Sequence, residues 1–168
     1  MENLKELLKN RRSIRKYTED SISPENVKEI LEAALMSPTS KRSLCWEFVV
    51  IKNPEQLEKL SHCKAQGAKP IAGAKLAIVI LADSSKSDVW IEDASIAAIL
   101  IQLQAEDLGL GSCWIQIRNR LTENGQSADA SFSSYLRKRS DSCTVGQCRC
   151  HDQQRCGIYP EHAQHPDT

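Results

Sequence analysis

From Ile91 to Leu108 apolar side chains lie nearly all the way round a helical wheel, Ala94, Ile96, Ala97, Ile99, Leu100 and Leu103 among them. A helix with one wet face needs only an apolar stripe, whereas one like this has to be covered on most of its sides. It must therefore sit at the centre of a layered core, with a neighbouring element or a partner subunit over each face. Gly109 stops it in the position where a C-cap glycine is expected, and Ser112 to Ile117 is predicted to return as a strand.

The segments before it can supply those layers. Leu4, Leu7 and Leu8 have the spacing of a short amphipathic helix. Ser23-Pro24-Glu25 combines an N-cap hydroxyl, a proline at the first helical position and an acid in the first turn. Val27, Ile30, Leu31, Ala34 and Leu35 then form a buried stripe, and Ser37-Pro38 closes the helix. Trp46 to Ile51 reads as a strand and Pro54 to Leu60 as a short helix. Leu76 to Ala82 is a continuous apolar run, the pattern of a strand buried on both faces. A chain of 168 residues is long enough for one domain with a real core.

Charge excludes some functions. The 22 basic and 22 acidic residues balance, so no net field recruits nucleic acid or an anionic membrane. No apolar run reaches the roughly 20 residues of a membrane helix, and Met1 to Glu6 is polar, unlike a signal peptide. A cytoplasmic protein is expected.

The local charge is less even. Arg11-Arg12-Ser13-Ile14-Arg15-Lys16-Tyr17 gathers three arginines, a lysine and a hydroxyl directly after the first helix. Guanidinium forks present paired donors that suit a phosphate dianion. The same residues would also suit a basic helix end, facing the negative pole of the dipole. The run alone is compatible with both.

Further matches in the same order point one way. With Arg11 to Arg15, the stretches Ser37-Pro38-Thr39-Ser40 with Trp46-Glu47-Phe48, Trp90 to Ser95, and Gly109-Leu110-Gly111-Ser112-Cys113-Trp114 resemble the nitroreductase family of flavin enzymes. The resemblance covers residues 1–129. It implies an α+β fold of three α/β/α layers around a mostly antiparallel sheet, and a homodimer with the long helix at its interface. It also implies FMN as cofactor, NADH or NADPH as reductant, and a small-molecule acceptor such as a nitroaromatic or a quinone.

On that reading Arg11, Arg12 and Arg15 face the flavin phosphate and Ser13 bonds phosphate or ribityl oxygens. Pro38, Thr39, Ser40 and Arg42 meet the polar edge of the ring, and Leu110 and Gly111 lie against it. Glycines at 109 and 111 would let backbone approach a flat ligand where a Cβ would clash. No catalytic side chain is required, because the flavin carries the hydride chemistry. His62, the only core histidine, is expected at the surface. Two positions depart from the family's pattern. Relatives usually carry Asn where this chain has Arg42 and Pro where it has Cys45. Arginine cannot accept a hydrogen bond, so its contact with the flavin changes character. Its charge would favour either an anionic reduced flavin or the phosphate of a dinucleotide.

Residues 130–168 break the pattern. Only Leu136, Val145 and Ile158 represent Leu, Ile and Val there, too little apolar surface to offset an ordering entropy of about 1–2 kcal/mol per residue. A poorly ordered tail is expected, of the kind produced by translation in a shifted reading frame or by replacement of the original C-terminus. Four of the seven cysteines, Cys143, Cys148, Cys150 and Cys156, lie in it beside His151. Their gaps of four, one and five residues do not follow the paired spacing of structural zinc sites, so no metal is expected. The alternatives to an active oxidoreductase are a flavin-binding or interaction protein with impaired turnover and, from the tail alone, a cysteine-rich metal module.

Overall fold

The computed structural model describes residues 3–130. The expectations for the tail beyond Ala130, including its poor order and its cysteines, fall outside the described residues.

Helix α1 spans Leu4–Asn10, with the Asn3 side chain accepting from the Glu6 N–H as N-cap. Helix α2, Pro24–Leu35, begins as its sequence dictates: Ser23 accepts from the Asn26 N–H and Pro24 occupies the first turn. It buries Val27, Ile30, Leu31, Ala33 and Ala34. Strand β1 (Trp46–Ile51) and strand β2 (Ala77–Ala82) pair antiparallel, with Val49 opposite Val79 and Ile51 opposite Ala77. Between them lies helix α3, Pro54–Ser61, capped by Asn53. The long helix α4 runs from Trp90 to Asp107.

The sheet separates two helical layers. Ile51, Leu57 and Leu60 form a buried cluster with Val49, Val79 and Leu81 against it, so this face of the sheet packs on α3. Side chains alternate across a strand, which turns the opposite face toward α4, and α4 packs in turn against α2. This is the expected α+β, three-layer arrangement, with an antiparallel sheet of two strands among the described residues.

Two expectations need correction. Strand β2 is half-buried along its whole length rather than enclosed on both faces. Ser112 to Ile117 forms no ladder; it makes a single parallel bridge, Ser112 with Ser13. Its polar groups find other partners, as where the Lys64 ammonium donates to the Gln116 carbonyl at 2.8 Å. Ile117 packs against the cluster of Ile51, Leu57 and Leu60, and beyond it the Arg118 guanidinium lies 5.6 Å from the centre of the Trp90 ring.

Helix α4 is covered in part. Ala97 and Ala105 are buried, but Ile96 stays exposed, as do Leu4 and Leu8 on α1 at 60% and 57%. No helix of the described residues is long and apolar enough to cross a membrane.

Candidate functional site

Helix α4 ends in a Schellman turn: the Leu110 N–H bonds the Ala105 carbonyl at 2.8 Å and the Gly109 N–H bonds Glu106 at 2.9 Å. Gly109 takes a φ of +71° to do so. The turn delivers Ser112 to the arginine run, where its carbonyl accepts from the Ile14 N–H at 2.9 Å. A Cβ on Gly111 would lie 3.0 Å from Ile14, while one on Gly109 would meet nothing within 4 Å. Glycine is therefore needed at 111 for contact with Ile14, and at 109 for its backbone angle. The Tyr17 hydroxyl donates to the Ile14 carbonyl at 2.8 Å. Burial and the nearby Cys113 push the Tyr17 phenol up, with Arg15 acting against them.

The three arginines differ. Arg12 donates to the carbonyls of Lys9 and Arg11 at 2.7 and 2.8 Å, serving as a cation at the end of α1. Arg15 makes one bond to the Ser13 carbonyl at 3.3 Å. Among the described residues none of the three is paired with a carboxylate. That leaves a concentrated positive charge for an anion.

The second half of the site is the loop from Ser37 to Cys45, and it is built on a residue the sequence reading passed over. Asp93, in the first turn of α4, is 3% exposed. Its Oδ1 accepts from the Ser40 N–H at 3.0 Å; its Oδ2 accepts from the Ser43 hydroxyl at 3.2 Å, the Ser87 hydroxyl at 3.3 Å and the Cys45 thiol at 3.6 Å. Burial works to raise the Asp93 carboxyl, but Ser40, Cys45, Ser43 and Ser87 outweigh it and hold the group below its ordinary value. Cys45 is 2% exposed; burial and Asp93 push its thiol up against the opposing Ser43 bond. An acid in the first turn of a helix is commonplace for dipole reasons, which hid this one. The signal was a pair of acids, Glu92 and Asp93, opening an otherwise apolar helix.

Above Asp93 the backbone is strained. Lys41, Arg42 and Leu44 hold φ values of +53°, +55° and +43°, each costing on the order of 1–3 kcal/mol for a residue with a side chain. Arg42 is exposed, and Lys41 reaches Asp88 only at 4.0 Å across open surface, a contact worth little.

The structure thus joins Arg11 to Arg15 with Leu110 and Gly111, and places Pro38 to Arg42 elsewhere. Asp93 and Ala105 are at opposite ends of α4, roughly 20 Å apart at 1.5 Å per residue. The chain from Ser112, beside the arginine run, to Arg118, beside Trp90, is long enough to span about that distance.

The geometry can be set beside known proteins. The Nitroreductase family profile matches residues 8–77. A protein of Archaeoglobus fulgidus assigned as an NADH dehydrogenase/NAD(P)H nitroreductase is 36% identical over 124 residues, 71% of each chain. This chain belongs to the nitroreductase family. A similarly assigned protein of Methanothermobacter thermautotrophicus is 39% identical over 112 residues, which are 65% of this chain but 58% of that one. The solved structure of an FMN-dependent nitroreductase from Clostridium difficile R20291 superimposes with a TM-score of 0.76 at 51% identity, over 80% of this chain and 78% of that one.

The residues present fit a flavin nucleotide. The arginine run offers donors without acidic partners. Two buried polar atoms lack a partner among the described residues, the Ser37 hydroxyl and the Trp46 indole nitrogen, and they flank the loop expected at the ring. Orphaned buried groups of this kind are costly and await a partner such as a polar ligand edge. His62 sits exposed beside Glu58 at 3.4 Å, at the surface as expected. Among the described residues no cluster of His, Cys, Asp or Glu could hold a metal.

Proposed function

We propose that this nitroreductase is an FMN-dependent NAD(P)H oxidoreductase acting as a homodimer on small acceptors such as nitroaromatics or quinones. The observation that carries the reading is the bridge between Ser13 and Ser112, which sets an unpaired arginine cluster against the turn after the central helix. When bound, FMN would supply the hydride chemistry that links NADH or NADPH to the acceptor.

The chain's own residues bind and orient. Arg11, Arg12 and Arg15 neutralise the phosphate, Ser13 bonds the phosphate or ribityl oxygens, and Leu110 and Gly111 offer backbone to the ring. Pro38, Thr39, Ser40 and Arg42 contact the polar edge of the ring. One flat ring cannot lie against Gly111 and Arg42 of the same chain across roughly 20 Å. A second copy brings its own loop to the first copy's arginines, and the uncovered faces of α1 and α4 supply apolar surface for that pairing.

The direct test is twofold. The purified chain should carry flavin absorbance, and it should oxidise NADH or NADPH when a quinone or nitroaromatic is supplied. Colourless protein that takes up no added FMN would refute the reading. Arg42 in place of the usual Asn favours a second reading, flavin binding without turnover; yellow protein that fails to oxidise either dinucleotide would establish it.

A further inference from the structure

The loop proposed to meet the flavin ring is held in shape from below by one carboxylate. Asp93 has room for about four hydrogen bonds on its two oxygens. It receives four, all from neutral donors: Ser40 N–H, Ser43 hydroxyl, Cys45 thiol and Ser87 hydroxyl. Three of these come from the loop itself, at its start, middle and end. The fourth, Ser87, comes from the segment leading into α4. Between the fixed points lie Lys41, Arg42 and Leu44 in left-handed conformation, a geometry that residues with side chains leave unless their surroundings impose it.

We infer that Asp93 is a positioning residue for the flavin: it imposes the strained 40–45 loop and so fixes where that loop meets the ring. This rests on the FMN reading above. Asp93 is shielded from solvent and acts through Ser40, Ser43 and Cys45. Its charge also has no cation beside it among the described residues. The four neutral donors and the positive end of the α4 dipole stabilise it, and each loop bond is a charge-assisted one. A residue serving only to fill space or to start a helix would not need three bonds to one loop.

The test is FMN titration of the full chain, read by affinity and by the visible absorbance and circular dichroism of the bound flavin. Asp93→Asn keeps the size but replaces one acceptor with a donor facing other donors. It should weaken FMN binding about ten- to a hundredfold and move the visible bands toward those of free FMN. Ile51→Val, a mild change in the core on the far side of the sheet, should lower thermal stability and leave both flavin readouts unchanged. If Asp93→Asn does not fold, Ser43→Ala and Ser87→Ala decide. Losing the loop donor should alter the flavin spectrum and affinity; losing the donor outside the loop should alter stability alone. Equal flavin spectra and affinities in wild type, Asp93→Asn and Ser43→Ala would overturn the inference while leaving the FMN reading intact. A wild-type chain that binds no FMN overturns that reading instead.

Discussion

Replacing Gly111 with alanine should loosen the contact between the arginine run and the turn after α4. A Cβ there would lie 3.0 Å from Cβ and Cγ2 of Ile14 and 3.1 Å from its Cγ1. Carbon atoms prefer about 3.5–4.0 Å, so three contacts are each short by roughly half an ångström or more. Gly111 is not in the left-handed region, so the cost is steric and not conformational. Ile14 is β-branched and stiff at χ1, though 38% exposed, and can yield only by rotating off its rotamer or by carrying its backbone away from Ser112. Overpacking of this kind costs about 1–3 kcal/mol. At ~2 kcal/mol the melting temperature of a chain this size should fall by about 4–8 °C. The Ile14 N–H to Ser112 carbonyl bond should lengthen, and FMN affinity should fall with it. Thermal unfolding and FMN titration of Gly111→Ala, Ile14→Ala and the double variant form a cycle. The double variant should recover much of the loss, because Ile14→Ala removes the obstructing atoms. Gly111→Ala with wild-type stability, or a double variant as damaged as the sum of the singles, would refute the argument.

Single changes of Arg11, Arg12 and Arg15 to Ala should each weaken FMN binding by about 1.5–3 kcal/mol if each holds a charged hydrogen bond; unchanged flavin affinity in all three would leave them as a solvated helix end. Light scattering at micromolar concentration should report a dimer, and a flavin-bound monomer would contradict the shared site. The Asp93 carboxyl is held below its ordinary value of 3.8, so its contribution to stability is present above that value and is lost as pH falls through the lower folded one. Acid unfolding of Asp93→Asn should therefore show a flatter limb below about pH 4 than wild type.

Much of the fold was legible because its signals are local. Ser23-Pro24 marks a helix start by capping chemistry, and that cap forms as expected. Gly109 marked the end of α4 for the same reason. The strand expected at Ser112 to Ile117 failed because a strand needs a neighbour, and alternation along one segment says nothing about whether one is available. Within the site, the bridge from Ser13 to Ser112 was implicit in two motifs that had to meet one ligand. The role of Asp93 was not, since it depends on bonds to residues 50 and 53 positions away. Gly111 shows a third case: its type was read correctly as a need for close approach, while the partner in contact with it is Ile14.

The length of α4 has a consequence for how this protein would behave on dilution. With the arginine cluster at one end of an 18-residue helix and the proposed ring-edge loop at the other, a lone copy would hold only half of each flavin's contacts. Cofactor retention and subunit pairing then become linked equilibria, each strengthening the other by mass action. Lowering the protein concentration below the pairing constant should bleach the sample as flavin escapes, and excess FMN should restore the pairs. Colour would serve as a gauge of assembly.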